Sequence, residues 1–293
     1  MRKTGSHFLA SRSSAQIADA FRAACREEIE APKPGNVHVF ASGHNMEAAH
    51  FLTSADVSAG PISASGVSVG TRVLAAVEAS FAAVGMNTNL GIILLCAPLT
   101  AAAERRGDLH RALADVLAGL DREDAAHVFR AIALASPGGL GDAERYDVRK
   151  PADIDLMEAM REAAPRDRIA YQYASNFDDI FVTGFASLEE AKEAEINPPL
   201  RAVNVYLSFL SRFPDTHIFR KFGAAAAAAV QQEAGEILPL FKARPHDCLT
   251  ELLAFDARLK ARGLNPGTSA DLTVATLFAD RLRNGLPIRR NDG

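Results

Sequence analysis

The chain has 293 residues, of which 48% are hydrophobic, enough for one large domain or two small ones with a sizeable core. Its formal net charge of −4 argues against a nucleic-acid-binding surface, which normally carries a basic stripe. Tryptophan is absent and aromatic residues make up only 7% of the chain, which disfavours stacking platforms for bases.

The cysteines and the apolar runs indicate the cellular compartment in which the protein is expected. Cys25, Cys96 and Cys248 are scattered without zinc-site or redox spacing, which suits free thiols in a reducing cytoplasm. The longest apolar run, residues 91–97, is too short for a membrane span, and the N-terminus lacks the apolar segment of a signal peptide. We therefore expect a cytoplasmic protein with neither membrane nor nucleic-acid partners.

Apolar residues recur at helical spacing through most of the chain, and alternating strand patterns are almost absent. Ser13 or Ser14 is predicted to cap the first helix, which runs to about Glu30. A short helix follows from Met46 to about Ala55, and a Gly-, Ser- and Pro-rich loop is predicted over 58–68. Further helices are predicted at 69–84, 90–105, 108–119, 122–135, 153–163, from 167 onward, 188–194, 200–212, 219–232, 247–262 and 269–283.

No repeat or linker divides the chain, so the predicted fold is one all-α domain over residues 14–284, with Gly/Pro-rich loops lining one cleft. Residues 1–13 and 285–293 are predicted to be a flexible N-terminus and a flexible C-terminal tail. The helix that begins at Leu90 is too apolar to be exposed. It forms either part of the core or the face of a homodimer.

The most distinctive stretch is the loop from Glu30 to Met46. Pro32 and Pro34 fix their own φ and keep the preceding residues extended, and Gly35 allows a turn where a Cβ would clash. One interpretation is a stiff connector with a solvated lysine. The other is a loop that projects functional side chains toward one side, namely Lys33, Asn36, His38 and His44.

Other turns place polar side chains at helix N-termini, where free N–H groups and the helix dipole favour phosphate. Asn87 and Asn89 precede the Leu90 helix, and they either only cap it or also receive phosphate. Asp215 precedes another helix whose first turns carry His217, Arg220 and Lys221, a set that suits a Mg-polyphosphate site. Two further glycine-rich turns are 137–142, a weak signal, and 264–272, which includes Gly267 and Asp271.

Glu78 lies beside the apolar stripe of the 69–84 helix. It is either a surface glutamate or a carboxylate that reaches a bound cation from the edge of the core. The combination of several turns, each delivering a carboxylate, amide or basic group next to a helix N-terminus, favours a nucleotide-handling protein.

These residues also resemble a known family, the triphosphoribosyl-dephospho-CoA synthases, in the right order over roughly residues 15–284. The similar segments are Pro32-Lys33-Pro34-Gly35, Gly43-His44-Asn45-Met46, Gly85-Met86-Asn87-Thr88-Asn89-Leu90-Gly91, Asp215-Thr216 and the 264–272 segment. The resemblance implies an all-helical transferase that joins ATP to 3′-dephospho-CoA and releases adenine, with Mg²⁺ accompanying the nucleotide.

Under this resemblance, site roles follow residue by residue. Lys33, Arg220 and Lys221 are expected to bind the phosphates. Gly35 and Gly267 are expected to allow backbone conformations that a residue with a Cβ would not. Substrate-binding roles go to Asn36, His38, His44, Asn87, Asn89 and His217. Candidates for the catalytic base or for Mg²⁺ ligation are Glu78, Asp215 and Asp271.

The chain also departs from the family pattern. His38 occupies the place of an aspartate, His44-Asn45-Met46 lacks an aspartate, and Asn89-Leu90 replaces a histidine and a lysine. A different acceptor, as in one-carbon (methanopterin-type) cofactor pathways, is therefore left open. Two alternatives to the transferase are a non-catalytic nucleotide- or cofactor-binding protein and a hydrolase that uses water as acceptor.

Overall fold

The computed structural model describes residues 11–43, 46–135 and 153–284, and it confirms the all-α prediction. No β-strand is formed by these residues. The helices are α1 Ser14–Glu30, α2 Ala48–Ser63, α3 Val69–Val84, α4 Leu90–Ala103, α5 Leu109–Ala118, α6 Arg122–Ala135, α7 Leu156–Ala163, α8 Arg168–Ala174, a π-helical turn Asp179–Gly184, α9 Phe185–Glu193, α10 Pro198–Arg212, α11 Thr216–Ala243, α12 Leu249–Ala261 and α13 Gly267–Asn284.

The boundaries follow local chemistry. Ser13 forms a reciprocal capping box with Gln16, as the sequence predicts. Gly85 ends α3 in the left-handed conformation, with φ of 69°, which a residue without Cβ adopts without strain. Asp215 caps α11, which begins three residues before its predicted start at Phe219 and continues to Ala243 across a break at Gly223.

The predicted loop over 58–68 is wrong in its first half, because α2 continues to Ser63. The small residues there let α2 pack closely against α1 and α3. Ser58 and Ser63 donate their hydroxyls to backbone carbonyls of α2, at 2.6 Å and 2.7 Å to Ser54 and Ala59. Burial and satisfied hydroxyls thus outweigh the weak helix propensity of Gly, Ser and Pro.

Helix α4 forms part of the core of the single chain, since nearly all its side chains are buried. Pro98 within it has no N–H, which leaves the Leu94 carbonyl without its helical donor. The Tyr173 hydroxyl replaces that donor at 2.6 Å. The apolar stretch is therefore explained by burial within one chain. No helix in the described ranges combines the length and hydrophobicity needed to cross a bilayer.

Helix α13 packs against α1, α4 and α10. The N-terminal part of α13 lies beside the start of α4, and the turn before α13 contacts the Pro-Lys-Pro-Gly loop. This arrangement brings together three motifs that are far apart in sequence. The 137–142 turn and His44 lie outside the described residues. The same holds for residues 1–10 of the predicted flexible N-terminus (1–13) and for the predicted flexible tail at 285–293.

Candidate active site

Gly35 anchors the Pro-Lys-Pro-Gly loop against the C-terminal part of the domain. Its φ is +80°, and a Cβ would lie 2.8 Å from both Leu259 Cδ1 and Pro266 Cδ, so neither the conformation nor the space admits a side chain. The adjacent Pro34 carbonyl accepts a hydrogen bond from the Tyr206 hydroxyl at 2.6 Å. The loop backbone is thus held from two sides, and its predicted stiffness has a tertiary cause as well as a local one.

Lys33 is fully buried inside this loop. Its ammonium lies 2.6 Å from Glu28 Oε1 and donates to Asn36 Oδ1 at 3.0 Å and to the Val37 carbonyl at 2.8 Å. Burial lowers the pKa of Lys33 and raises that of Glu28, while their mutual attraction opposes both shifts. The lysine therefore ties the loop to α1 and its charge is already matched within the protein.

Two further polar side chains of this loop, Asn36 and His38, are also buried. Asn36 donates to Asn265 Oδ1 at 2.8 Å, which joins the loop to the turn before α13. His38 places Nε2 3.4 Å from Asp256 Oδ1, and neither ring nitrogen makes a hydrogen bond with a described residue. Burial lowers the pKa of His38 despite the opposing carboxylate, so the imidazole is neutral near pH 7.

Asp215 is buried and joins α11 to α13. Its Oδ1 accepts from the backbone N–H groups of His217 and Ile218, at 2.9 Å and 3.2 Å. Its Oδ2 accepts from both the N–H and the hydroxyl of Ser269, at 2.8 Å and 2.9 Å. Burial raises the pKa of Asp215, and these four donors oppose that rise. The carboxylate is therefore a cap shared by two helices.

The basic side chains of α11 differ in exposure. Arg220 is partly buried, and its guanidinium donates to Asp167 Oδ2 at 2.6 Å, while Nε has no hydrogen-bond partner among the described residues. Lys221 is exposed. The His217 ring packs on Gly267, where a Cβ would lie 2.5 Å from Nδ1. Gly267 is thus required for the close approach of α11 and α13.

Helix α4 begins with a partly open cap. Asn87 Oδ1 accepts from the Leu90 N–H at 3.2 Å, whereas Asn89 turns inward and donates to Ser58 Oγ at 3.3 Å. The next two amides, of Gly91 and Ile92, have no hydrogen-bond partner in the described part of the chain. An α-helix N-terminus with unpaired N–H groups attracts an anion.

Asp271, at the beginning of the second turn of α13, faces this start of α4. A Cβ built on Gly91 would collide with its carboxylate, so the Asp271 side chain lies directly against the Gly91 backbone. The side chain is partly exposed, and within the described ranges it has neither a hydrogen bond nor an ion pair. Its pKa is raised well above the usual value, chiefly by burial and then by the negative charges of Glu28 and Asp215.

The three carboxylates proposed to ligate Mg²⁺ occupy different surroundings. Glu78 is about half exposed on α3, 3.8 Å from Arg130, and Asp215 is enclosed by its four donors. Among the described residues, no three or more acidic, histidine or cysteine side chains form a cluster that could hold a metal ion. Asp271 is the member of the trio whose carboxylate has neither a hydrogen bond nor an ion pair with a described residue.

Sequence reasoning missed the residues that hold the loop in place. Asp256 and Lys260 are spaced four residues apart on α12, a pattern that normally indicates a solvated surface pair. Tyr206 and Glu28 resemble ordinary interior and surface residues of their helices. No local signal distinguishes them, because their roles arise from contacts with residues far away in the chain.

Comparison with known proteins agrees with this architecture. The family model described as ATP:dephospho-CoA triphosphoribosyl transferase matches residues 14–290. The chain belongs to this family. Membership of this family explains why the motifs occur in the same order as in the family, including the Pro-Lys-Pro-Gly motif, whose lysine is buried.

Individual relatives of this family match over shorter stretches. The 2-(5″-triphosphoribosyl)-3′-dephosphocoenzyme-A synthase of Klebsiella pneumoniae is 27% identical over 106 residues, 36% of this chain and 38% of that protein. A Citrobacter koseri protein assigned the same activity is 34% identical over 82 residues, 28% of this chain and 27% of that protein. The matched stretches thus span well under half of these relatives.

A solved structure extends the similarity to the fold. The crystal structure of an Archaeoglobus fulgidus protein, assigned as a triphosphoribosyl-dephospho-CoA synthase, superposes with a TM-score of 0.59 at 26% identity. The alignment covers 80% of this chain and 99% of that one. The all-α architecture is therefore shared across most of both proteins.

Proposed function

We propose that this protein transfers the 5-triphosphoribosyl group of ATP to 3′-dephospho-CoA and releases adenine. Membership of the transferase family over residues 14–290 supports the reaction class. The observation that carries the proposal is the available carboxylate of Asp271, which faces the unpaired amides at the start of α4. A carboxylate next to an anion-binding helix terminus matches the two needs of this chemistry, charge support at the ribose and a seat for phosphate.

The transfer requires a displacement at C1′ of the ATP ribose. The acceptor hydroxyl oxygen forms a bond to C1′ and the bond from C1′ to the adenine nitrogen breaks. The leaving nitrogen keeps the bonding pair and takes up a proton from water, which gives neutral adenine. Asp271 takes the proton of the acceptor hydroxyl, for which its raised pKa makes it a better base than an ordinary aspartate. A single displacement inverts the configuration at C1′, by the logic of inverting glycosidases.

The triphosphate is proposed to lie at the start of α4, on the amides of Gly91 and Ile92, with Arg220 and Lys221 supplying positive charge. Lys33 and Asn36 support the site through the loop they stabilise. Mg²⁺ commonly binds largely through substrate phosphates and keeps several waters. Because the described residues include no cluster that could hold a metal ion, we propose that the triphosphate itself would supply most of the ion's ligands. The ion would supply charge neutralisation for the triphosphate.

The acceptor is the part that the chain itself specifies least. The family model and the relatives named above all carry dephospho-CoA in their descriptions, and none favours a one-carbon cofactor. We therefore propose 3′-dephospho-CoA as acceptor. A homodimer also remains a proposal, although α4 itself is buried within one chain.

The deciding experiment is adenine release by the purified protein with ATP and Mg²⁺, with and without 3′-dephospho-CoA. Chromatography would follow adenine, and mass spectrometry would follow the triphosphoribosyl adduct. We expect adenine and adduct in equal amounts, only when the acceptor is present.

Two outcomes would contradict the proposal. Adenine without acceptor would indicate hydrolysis of the N-glycosidic bond. Binding of ATP with no adenine in either tube would indicate a non-catalytic nucleotide-binding protein. The D271N variant serves as the negative control, and D115N, which changes an exposed aspartate on α5, serves as its matched reference.

A further inference from the structure

Asp256 on α12 connects to the Pro-Lys-Pro-Gly loop at two points, although no motif includes it. Its Oδ1 accepts the Gly35 N–H at 2.8 Å and lies 3.4 Å from His38 Nε2. Its Oδ2 accepts from the Lys260 ammonium at 2.9 Å. The side chain is 4% exposed, so these contacts are shielded from water.

Lys260 extends this contact to the far end of the loop. Its ammonium also donates to the Ala41 carbonyl at 3.1 Å, and its aliphatic stem packs on Gly43, where a Cβ would lie 2.8 Å from Cε. One carboxylate and one ammonium on adjacent turns of α12 therefore hydrogen-bond the loop at residues 35 and 41 and contact it at residues 38 and 43. Burial alone would raise the pKa of Asp256, but His38, Lys260 and the Gly35 N–H outweigh it and lower that pKa.

The loop position matters because the loop contacts the turn that starts α13. Gly35 packs directly on Pro266, and Asn36 is hydrogen-bonded to Asn265 at 2.8 Å. Asp271 lies one turn further along the same helix. A shift of the loop would therefore be transmitted to the helix that carries the available carboxylate.

We propose that Asp256 is a positioning residue for the transfer reaction, acting through Lys260 and the Gly35 N–H on the Pro-Lys-Pro-Gly loop. It contacts neither Asp271 nor the start of α4 in the described structure, so its effect on substrate is indirect. This inference rests on the proposed function for its kinetic readout. It goes beyond that function by assigning a role to α12.

The main variant is D256N. The Gly35 N–H and the Lys260 ammonium bind different carboxylate oxygens, and the amide replaces one of these oxygens with an NH₂ group. One of the two donors would then face another donor. We expect hydrogen exchange to accelerate in peptides covering residues 31–43 and 264–271, ATP affinity to fall at least fivefold, and kcat/KM to fall at least tenfold. The matched control is D280N, which removes the 2.7 Å ion pair of Asp280 with Lys192 at the other end of α13.

A second pair of variants keeps the inference testable if D256N does not fold. K260M removes the tie to the Ala41 carbonyl and leaves Asp256 bound to Gly35, so it should reproduce the faster exchange over residues 31–43. K260R preserves the charge and should restore most of the affinity. If Asp256 has a merely structural role, the activity of D256N should fall only in proportion to its folded fraction. The activity per folded molecule should then be the same in D256N and D280N.

The outcomes separate this inference from the proposed function. If the wild-type protein binds ATP without releasing adenine, the transfer proposal fails, while exchange and ATP affinity still decide the role of Asp256. Wild-type exchange, affinity and kcat/KM in D256N would overturn the positioning role. So would the absence of any nucleotide binding by the wild-type protein.

Discussion

The Pro-Lys-Pro-Gly loop and the junction of α13 with α4 both come from motif segments, but their polar groups are satisfied to different degrees. Lys33 is fully buried with three acceptors, and Asp256 is engaged on both oxygens. The carboxylate of Asp271, by contrast, has no hydrogen bond or ion pair with a described residue. Saturated networks fix geometry, whereas an available charge can act on a ligand. We therefore propose that the first region supports the site and that the second region carries the chemistry.

The K33M variant tests the supporting role of the first region and should have the largest effect, a loss of folding stability. The change leaves Glu28 buried without its partner, which should reduce the free energy of unfolding by about 3–5 kcal/mol. Urea unfolding at pH 7 measures the loss. The exposed K221M variant should change it by less than about 0.5 kcal/mol.

The double variant E28Q/K33M sharpens the assignment. It should recover part of the stability lost in K33M, because the unmatched carboxylate is gone. A K33M protein with wild-type stability and weakened ATP binding would instead show that the lysine contacts phosphate.

The next effect is on catalysis, from D271N. Loss of the proposed base should lower kcat about 100-fold or more, measured by adenine release. The folding stability of D271N, in contrast to its kcat, should rise. The folded pKa of Asp271 is raised, so its contribution to stability is complete at acid pH and is lost as the pH rises through that pKa.

This linkage gives the substitution a pH signature. D271N should therefore unfold at higher temperature than wild type at pH 8, with the advantage shrinking toward pH 4. The exposed D115N variant should show no such trend. A destabilised D271N protein at pH 8 would mean that the carboxylate is structural.

A smaller effect separates two roles of Asn87. N87A removes the acceptor for the Leu90 N–H and should cost about 1 kcal/mol of stability, measured by urea unfolding. N87D keeps the cap, so its stability should match wild type. Its added negative charge should nevertheless weaken ATP binding if phosphate lies at the start of α4, and unchanged affinity would place the phosphate elsewhere.

The smallest effect is expected from E78Q. Glu78 is about half exposed and 3.8 Å from Arg130, a surface pair of little energetic value. Both kcat and the Mg²⁺ concentration for half-maximal activity should stay within about twofold of wild type, in line with a near-neutral surface change. A tenfold higher Mg²⁺ requirement would make Glu78 a metal ligand after all.

The sequence alone was sufficient for the fold class, most helix positions and the family. Apolar spacing reports which face of a helix is buried, and caps such as Ser13 act within a few residues. The sequence-based prediction was wrong over residues 58–63, where packing of α2 against its neighbours overrides the local preference of Gly, Ser and Pro for turns.

Only the tertiary structure separated the motif residues by role. The sequence treats Lys33, Asp215 and Asp271 alike, as charged residues next to turns. Folding encloses the first with Glu28 and the second with four donors, and it leaves the third facing Gly91 of another helix. Burial and hydrogen-bond partners depend on residues that can be 221 or more positions away, as Asp256 is from Gly35, and no local pattern encodes such contacts.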